Sequence, residues 1–127
     1  MVEGAGMPQY AGVMVSAMTE AIVRTIRAVP RGKVASYGQI AMAAGHPRGP
    51  GGAREVVRIL ASMSEKEYLP WWRIVRKNLS IAFGDPEAIA IQRQLLESEG
   101  VPFNPDGTIS RDAQWDSRFS GARPIPS

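Results

Sequence analysis

Apolar positions early in the chain recur at helical spacing. In VSAMTEAIVRTIRAV, residues 15 to 29, Met18, Ile22, Ile26 and Val29 fall three or four apart, and Val15 extends the stripe. That period lays one apolar stripe along a helix. Pro30 ends it, and RGKVAS is a short connector. Ser36-Tyr37-Gly38-Gln39 then reads as a capping box, with the Ser oxygen on a free amide and Gln39 reaching back. The helix it opens is short, about 37 to 44, and stops at Gly45. HPRGPGG is a turn-rich loop. A third helix runs over about 52 to 63, AREVVRILASMS, with Val56, Val57 and Leu60 on its inner face and Ala53 and Met63 at its ends. Two short helices joined by a Gly/Pro loop resemble a helix-turn-helix unit.

Beyond Pro70 the pattern changes. WWRIV and LSIAF are short, apolar and separated by Arg76-Lys77-Asn78, which predicts a small hairpin or wing. An extended segment alternates its side chains, so Trp71 and Trp72 should part: one into the core, one toward a surface or pocket. Asp85-Pro86-Glu87 opens a fourth helix to about 98, with Ile89, Leu95 and Leu96 inward and Gly100 closing it. The remainder carries turn signals and packs through Trp115. The expected architecture is mainly α, a winged-helix-like helix-turn-helix domain with a small β-hairpin. Its expected organisation is a flexible segment 1–12, a DNA-binding domain 13–110 and a tail 111–127.

Composition narrows the chemistry. The chain has 127 residues, one histidine and no cysteine. Disulfides, thiolate zinc sites and a cysteine nucleophile are excluded, and a lone His46 builds no histidine metal cluster. No cofactor or metal is expected. No apolar run approaches the ~20 residues of a membrane helix, and the N-terminus lacks a signal-peptide pattern. A cytoplasmic protein is expected, nucleoid-associated if bacterial.

Charge points to a partner. The net charge is only +3, but no acidic residue stands between Glu20 and Glu55, while Arg24, Arg27, Arg31, Lys33, Arg48 and Arg54 do. Such a block suits a polyanion, or a solvated face with acids nearby in space. A tryptophan lining a cleft can stack on a nucleobase.

The blocks GKVASYGQIAMAAG, AREVV, PWWRIV and QRQLLESEG, in this order, resemble the C-terminal domain of the O6-alkylguanine-DNA alkyltransferases over about residues 17 to 101. In that family the third block reads Pro-Cys-His-Arg, and the Cys accepts the alkyl group. Here Trp71 holds the position of the Cys and Trp72 that of the His, a departure that marks the alkyltransferase-like proteins. An indole is no nucleophile at neutral pH, so alkyl acceptance is lost. A Trp71→Cys change alone should not restore it, because Trp72 stands where the activating His was.

The resemblance implies a non-enzymatic sensor, a monomer that binds double-stranded DNA containing O6-alkylguanine. It would flip the base from a minor-groove approach and flag it for nucleotide excision repair proteins. Flipping costs a few kcal/mol and least at a weakened pair. By the same resemblance Arg54 is the finger arginine that fills the vacated stack. A cation near a helix N-terminus is poorly placed for the dipole, which mildly favours a task outside the helix. Tyr37 matches the tyrosine that presses the 3′ phosphate, and Trp71 lines the base pocket. Arg73 is grouped with that pocket, its expected work being structural: bridging carbonyls or acids beside it. Phe83 belongs to the lid. Gly51, Gly52 and Ala53 suit close approach of backbone to DNA, or an ordinary loop and cap. Lys33, Arg31, Arg48 and Arg58 are candidate phosphate contacts. His46 reads as a loop residue.

The lid departs from the family. Phe83-Gly84-Asp85-Pro86-Glu87 is acidic where the alkyltransferase-like proteins often carry a basic residue. A lesion-independent winged-helix DNA-binding protein or regulator stays open as the alternative. A glycosylase using Asp85 or Glu87 is the distant third, without a paired acid and base.

Overall fold

The computed structural model describes residues 16–81 and 85–117. Helix α1 spans Ala17–Ala28. Its N-cap Ser16 accepts from Thr19 N at 3.0 Å, and its apolar stripe buries Ile22, Ile26 and Val29 completely. The connector reaches strand β1, Ala35–Ser36, and helix α2 follows at once, Tyr37–Ala43. The capping box forms as the sequence predicts: Gln39 N donates to Ser36 Oγ at 3.1 Å, and Ser36 N to Gln39 Oε1 at 3.4 Å. A tight turn over Gly49–Gly52 leads into helix α3, Ala53–Glu67.

Helix α3 is longer than the pattern suggests. Ser64, Glu65, Lys66 and Glu67 continue it, because a solvated last turn needs no apolar residue. It stops where Tyr68 turns left-handed, at φ 54°. Its inner face is Val56 and Ile59; Val57 and Leu60 are only half-buried. The expected face was therefore rotated by part of a turn.

The expected hairpin partner is corrected. Strand β2, Ile74–Val75, pairs in parallel with β1, Ala35 against Ile74 and Ser36 against Val75. The chain does turn back after β2, with Arg76 N on Ser80 O at 3.1 Å. Leu79 then joins residue 109 instead, its carbonyl accepting from Ile109 N at 2.8 Å. A short apolar run announces a strand but not its neighbour. Helix α4, Pro86–Ser98, is capped by Asp85, which accepts from Ala88 N at 2.8 Å.

Two apolar clusters flank the β1–β2 pair. Ile22, Ile26, Ile40, Val56, Leu69 and Trp115 belong to one; Val34, Val75, Leu96 and Ile109 to the other. Residues 111–117 are woven in: Trp115 N donates to Val34 O at 2.7 Å, and Gln39 Nε2 to the Trp115 carbonyl. No described helix is long and apolar enough to cross a membrane.

Candidate nucleic-acid interface and base cavity

The Trp71-Trp72 pair is positioned by a turn rather than a strand. Residues Trp71–Arg73 form a single 3-10 turn after Pro70. The two rings still part, meeting edge to face with centroids 6.1 Å apart and planes at 88°. Trp72 packs against the second core cluster. Its Nε1–H donates to Glu99 Oε2 at 2.8 Å. Trp71 turns the other way, onto a cavity of about 450 Å³. That volume lies within the usual range of small-ligand sites, ~300–1,000 Å³.

The cavity has three walls. Helix α3 supplies Val57, Leu60, Ala61 and Ser64, so Val57 is wall rather than core, while Leu60 lines the cavity and also packs against the first cluster. Tyr37, at the start of α2, and Trp71 with Ile74 form a second wall. Asp85, Ala88 and Gln92 of α4 and its cap complete the third. The lining is largely apolar, as small-ligand sites generally are. Burial pushes the Tyr37 phenol above its ordinary value, against the opposing charge of Arg76. Tyr37 is therefore a neutral hydroxyl at physiological pH.

Arg54 sits in the first turn of α3 and is exposed. It precedes Val57 by three residues and Ala61 by seven, so all three share one helix face. The face that walls the cavity therefore carries a guanidinium at its N-terminal end. Arg48 and Arg58 are exposed nearby in sequence, as is Gly51. Ala53 is half-buried at the first position of α3.

Gly52 is different: it is buried, and a Cβ there would lie 2.5 Å from the His46 ring. Its missing side chain serves loop packing. His46 itself staples the loop. Its Nε2 lies 2.9 Å from Glu55 Oε1, and its Nδ1 accepts from Arg48 N at 3.1 Å. The ring thus ties the loop backbone at Arg48 to Glu55 in the first turn of α3.

Three predicted residues stand elsewhere. Arg73 does not line the cavity. It forks onto Glu99, Nη2 to Oε2 at 2.8 Å and Nε to Oε1 at 3.1 Å, and donates from Nη1 to Val29 O at 3.0 Å. This is the expected bridging of acid and carbonyl, behind the pocket rather than in it. Lys33 donates to the Asp112 carbonyl at 3.0 Å and Arg31 to the Ser98 carbonyl at 3.3 Å. Both cations tie the connector to later segments. Arg27, in the same acid-free block, pairs with Glu67 at 3.0 Å. Part of that block thus meets its counter-charges in space. Phe83 lies outside the described residues.

Glu99 and Gln92 escaped the sequence reading. Glu99 also accepts from Gly32 N at 3.0 Å, and its side chain is only 3% exposed. Burial alone would raise its pKa. Hydrogen bonds from Arg73, Gly32 and Trp72 outweigh that and hold the carboxyl below its ordinary value. An acid beside a helix C-terminus opposes the dipole; that misfit was its one signal. Gln92 donates to the carbonyls of Trp72 at 3.1 Å and Ile74 at 3.2 Å, locking α4 to the tryptophan turn. An isolated glutamine at helical spacing announces nothing of the kind.

Residues 17–101 match the model of the 6-O-methylguanine DNA methyltransferase, DNA binding domain. A DNA base-flipping protein of Vibrio parahaemolyticus is 36% identical over 95 residues, 74% of this chain and 91% of that protein. One from Escherichia coli is 38% identical over 84 residues, 66% of this chain and 62% of that protein. Among solved structures, S. pombe Atl1 in complex with damaged DNA containing O6-carboxymethylguanine superposes with a TM-score of 0.64 at 25% identity, over 78% of this chain and 94% of that one. With two thirds of its length matched, the chain belongs to the 6-O-methylguanine DNA methyltransferase DNA-binding domain family, on its alkyltransferase-like branch.

Proposed function

We propose that this chain reads O6-alkylated guanine in duplex DNA without altering it covalently. It extrudes the damaged base into the cavity between Tyr37 and Trp71 and flags it for nucleotide excision repair. The carrying observation is the cavity itself: about 450 Å³, mostly apolar and walled by Trp71, the residue that the resemblance sets at the nucleophile's position. The base-flipping relatives and the damaged-DNA complex of the S. pombe protein support the same reading.

Each residue has a task in this scheme. Arg54 enters the stack from the minor groove and fills the space the base leaves. Tyr37 presses the 3′ phosphate and helps the nucleotide rotate. Trp71 offers an apolar face to the purine and its adduct. Arg48 and Arg58, with the backbone at Gly51, hold phosphates without reading sequence. With no cysteine in the chain, nothing accepts the alkyl group. The protein acts as a monomer in the cytoplasm, and its product is a marked site.

A binding titration at fixed salt tests this. One duplex carries O6-methylguanine; its twin is unmodified. A preference of about tenfold, roughly 1.4 kcal/mol, supports the lesion reader. Equal affinity with a steep salt dependence would instead leave a lesion-independent DNA-binding protein.

A further inference from the structure

The chemistry of the cavity wall goes one step further. Among the described residues lining it, Asp85 is the one carboxylic acid, and none is Lys or Arg. Arg76 acts electrostatically on Tyr37, but it is exposed and does not line the cavity. An acidic side chain thus stands at a pocket meant for a base whose adduct can be neutral or anionic.

A helix N-terminus pointed at a pocket would ordinarily favour an anion. Here α4 presents Asp85 and Ala88 to the cavity. Asp85 already occupies the favourable place, since its Oδ1 takes the Ala88 N–H at 2.8 Å. An anionic adduct would meet the carboxylate instead of the free amide. The other polar side chains on the wall, Tyr37, Ser64, Trp71 and Gln92, bring no positive charge, and Gln92 Nε2 is already spent on the Trp72 and Ile74 carbonyls. Ser64 Oγ is buried without a hydrogen-bond partner among the described residues, and it offers one neutral donor. A single neutral bond does not offset a like charge and the desolvation of a carboxylate.

We infer that this cavity selects uncharged O6-adducts over anionic ones, and that Asp85 sets the difference. The inference rests on the lesion-reading function proposed above. It separates this chain from S. pombe Atl1, whose structure holds DNA containing O6-carboxymethylguanine.

Three duplexes differing at one base, guanine, O6-methylguanine or O6-carboxymethylguanine, are titrated with the full chain and with Asp85→Asn. Asparagine is a good N-cap, so α4 keeps its start while the charge goes. The expected result is weaker binding of the carboxymethyl than of the methyl duplex, by about fivefold or more for one rim charge partly screened by solvent. In Asp85→Asn the gap closes to within about twofold, because the cap is kept while the like charge facing the adduct is gone. Methyl preferred over guanine but carboxymethyl bound equally well would overturn the inference and leave the lesion reader standing. A gap unchanged in Asp85→Asn would also overturn it. Methyl and guanine bound alike would remove the lesion reader and the inference together.

Discussion

Trp72 donates its indole Nε1–H to Glu99 Oε2 at 2.8 Å, and that bond connects the tryptophan turn to the buried polar centre of the molecule. The same carboxylate holds Arg73 and the amide of Gly32. Trp72 is thereby fixed on one side, and Trp71, next in the turn, is left to face the cavity.

Removing the acid should be severe. Glu99→Ala leaves Arg73, with a side chain 15% exposed, without its counter-ion, a loss of about 3–5 kcal/mol. Urea unfolding measures it; a loss below about 1 kcal/mol would refute the role of this centre.

Acid should act through the same group. The Glu99 pKa is lowered from its ordinary 4.5 by folding. A lowered carboxylate contributes stability that is full above the unfolded value and disappears as pH falls through the folded one. Stability should therefore decline as pH drops below 4.5, and the decline should be shallower in Glu99→Gln. Unfolding midpoints of both proteins from about pH 6 down to about pH 3 check this. Parallel curves would contradict it.

Trp71→Ala and Arg54→Ala should each bring lesion preference down by about tenfold. Arg54 is exposed, so its removal should leave stability within about 0.5 kcal/mol. Paired titrations with modified and unmodified duplex decide the matter. Variants that keep the preference would favour the lesion-independent reading.

Gly52→Ala should destabilise by about 1–3 kcal/mol, because the new Cβ overpacks against His46. Its ideal position is 2.5 Å from that ring. The double variant with His46→Ala should recover part of the loss, as coupled neighbours do. Strictly additive losses in denaturant melts would show that the contact does not matter.

Trp71→Cys should gain no alkyl transfer. The neighbouring indole, committed to Glu99 by its N–H, is no base, and an unactivated thiol is mostly protonated. Incubation with DNA carrying labelled O6-methylguanine, read by protein mass spectrometry, should show an unmodified chain. A single methyl gained would refute this.

The sequence by itself determined the helices and, except at the C-terminal end of α3, their approximate ends. Ser36 with Gln39, Asp85 with Pro86, and the stripe from Met18 to Val29 are local signals, since caps and helical periods act within a few residues. It also determined the missing chemistry, because the absence of cysteine needs no fold to be seen. The ordered blocks around Tyr37, Arg54 and Trp71 pointed to the family. Only tertiary structure decided partners distant along the chain. The partner of Ile74-Val75 is Ala35-Ser36, across two helices, and no period within either run names the other. Tertiary structure made Val57 cavity wall rather than core and gave Leu60 a share in both. It turned Gly52 onto His46 and drew Arg73 behind the pocket to Glu99. Buried charge must find its counter-charge wherever the chain brings one, and that place is set by packing.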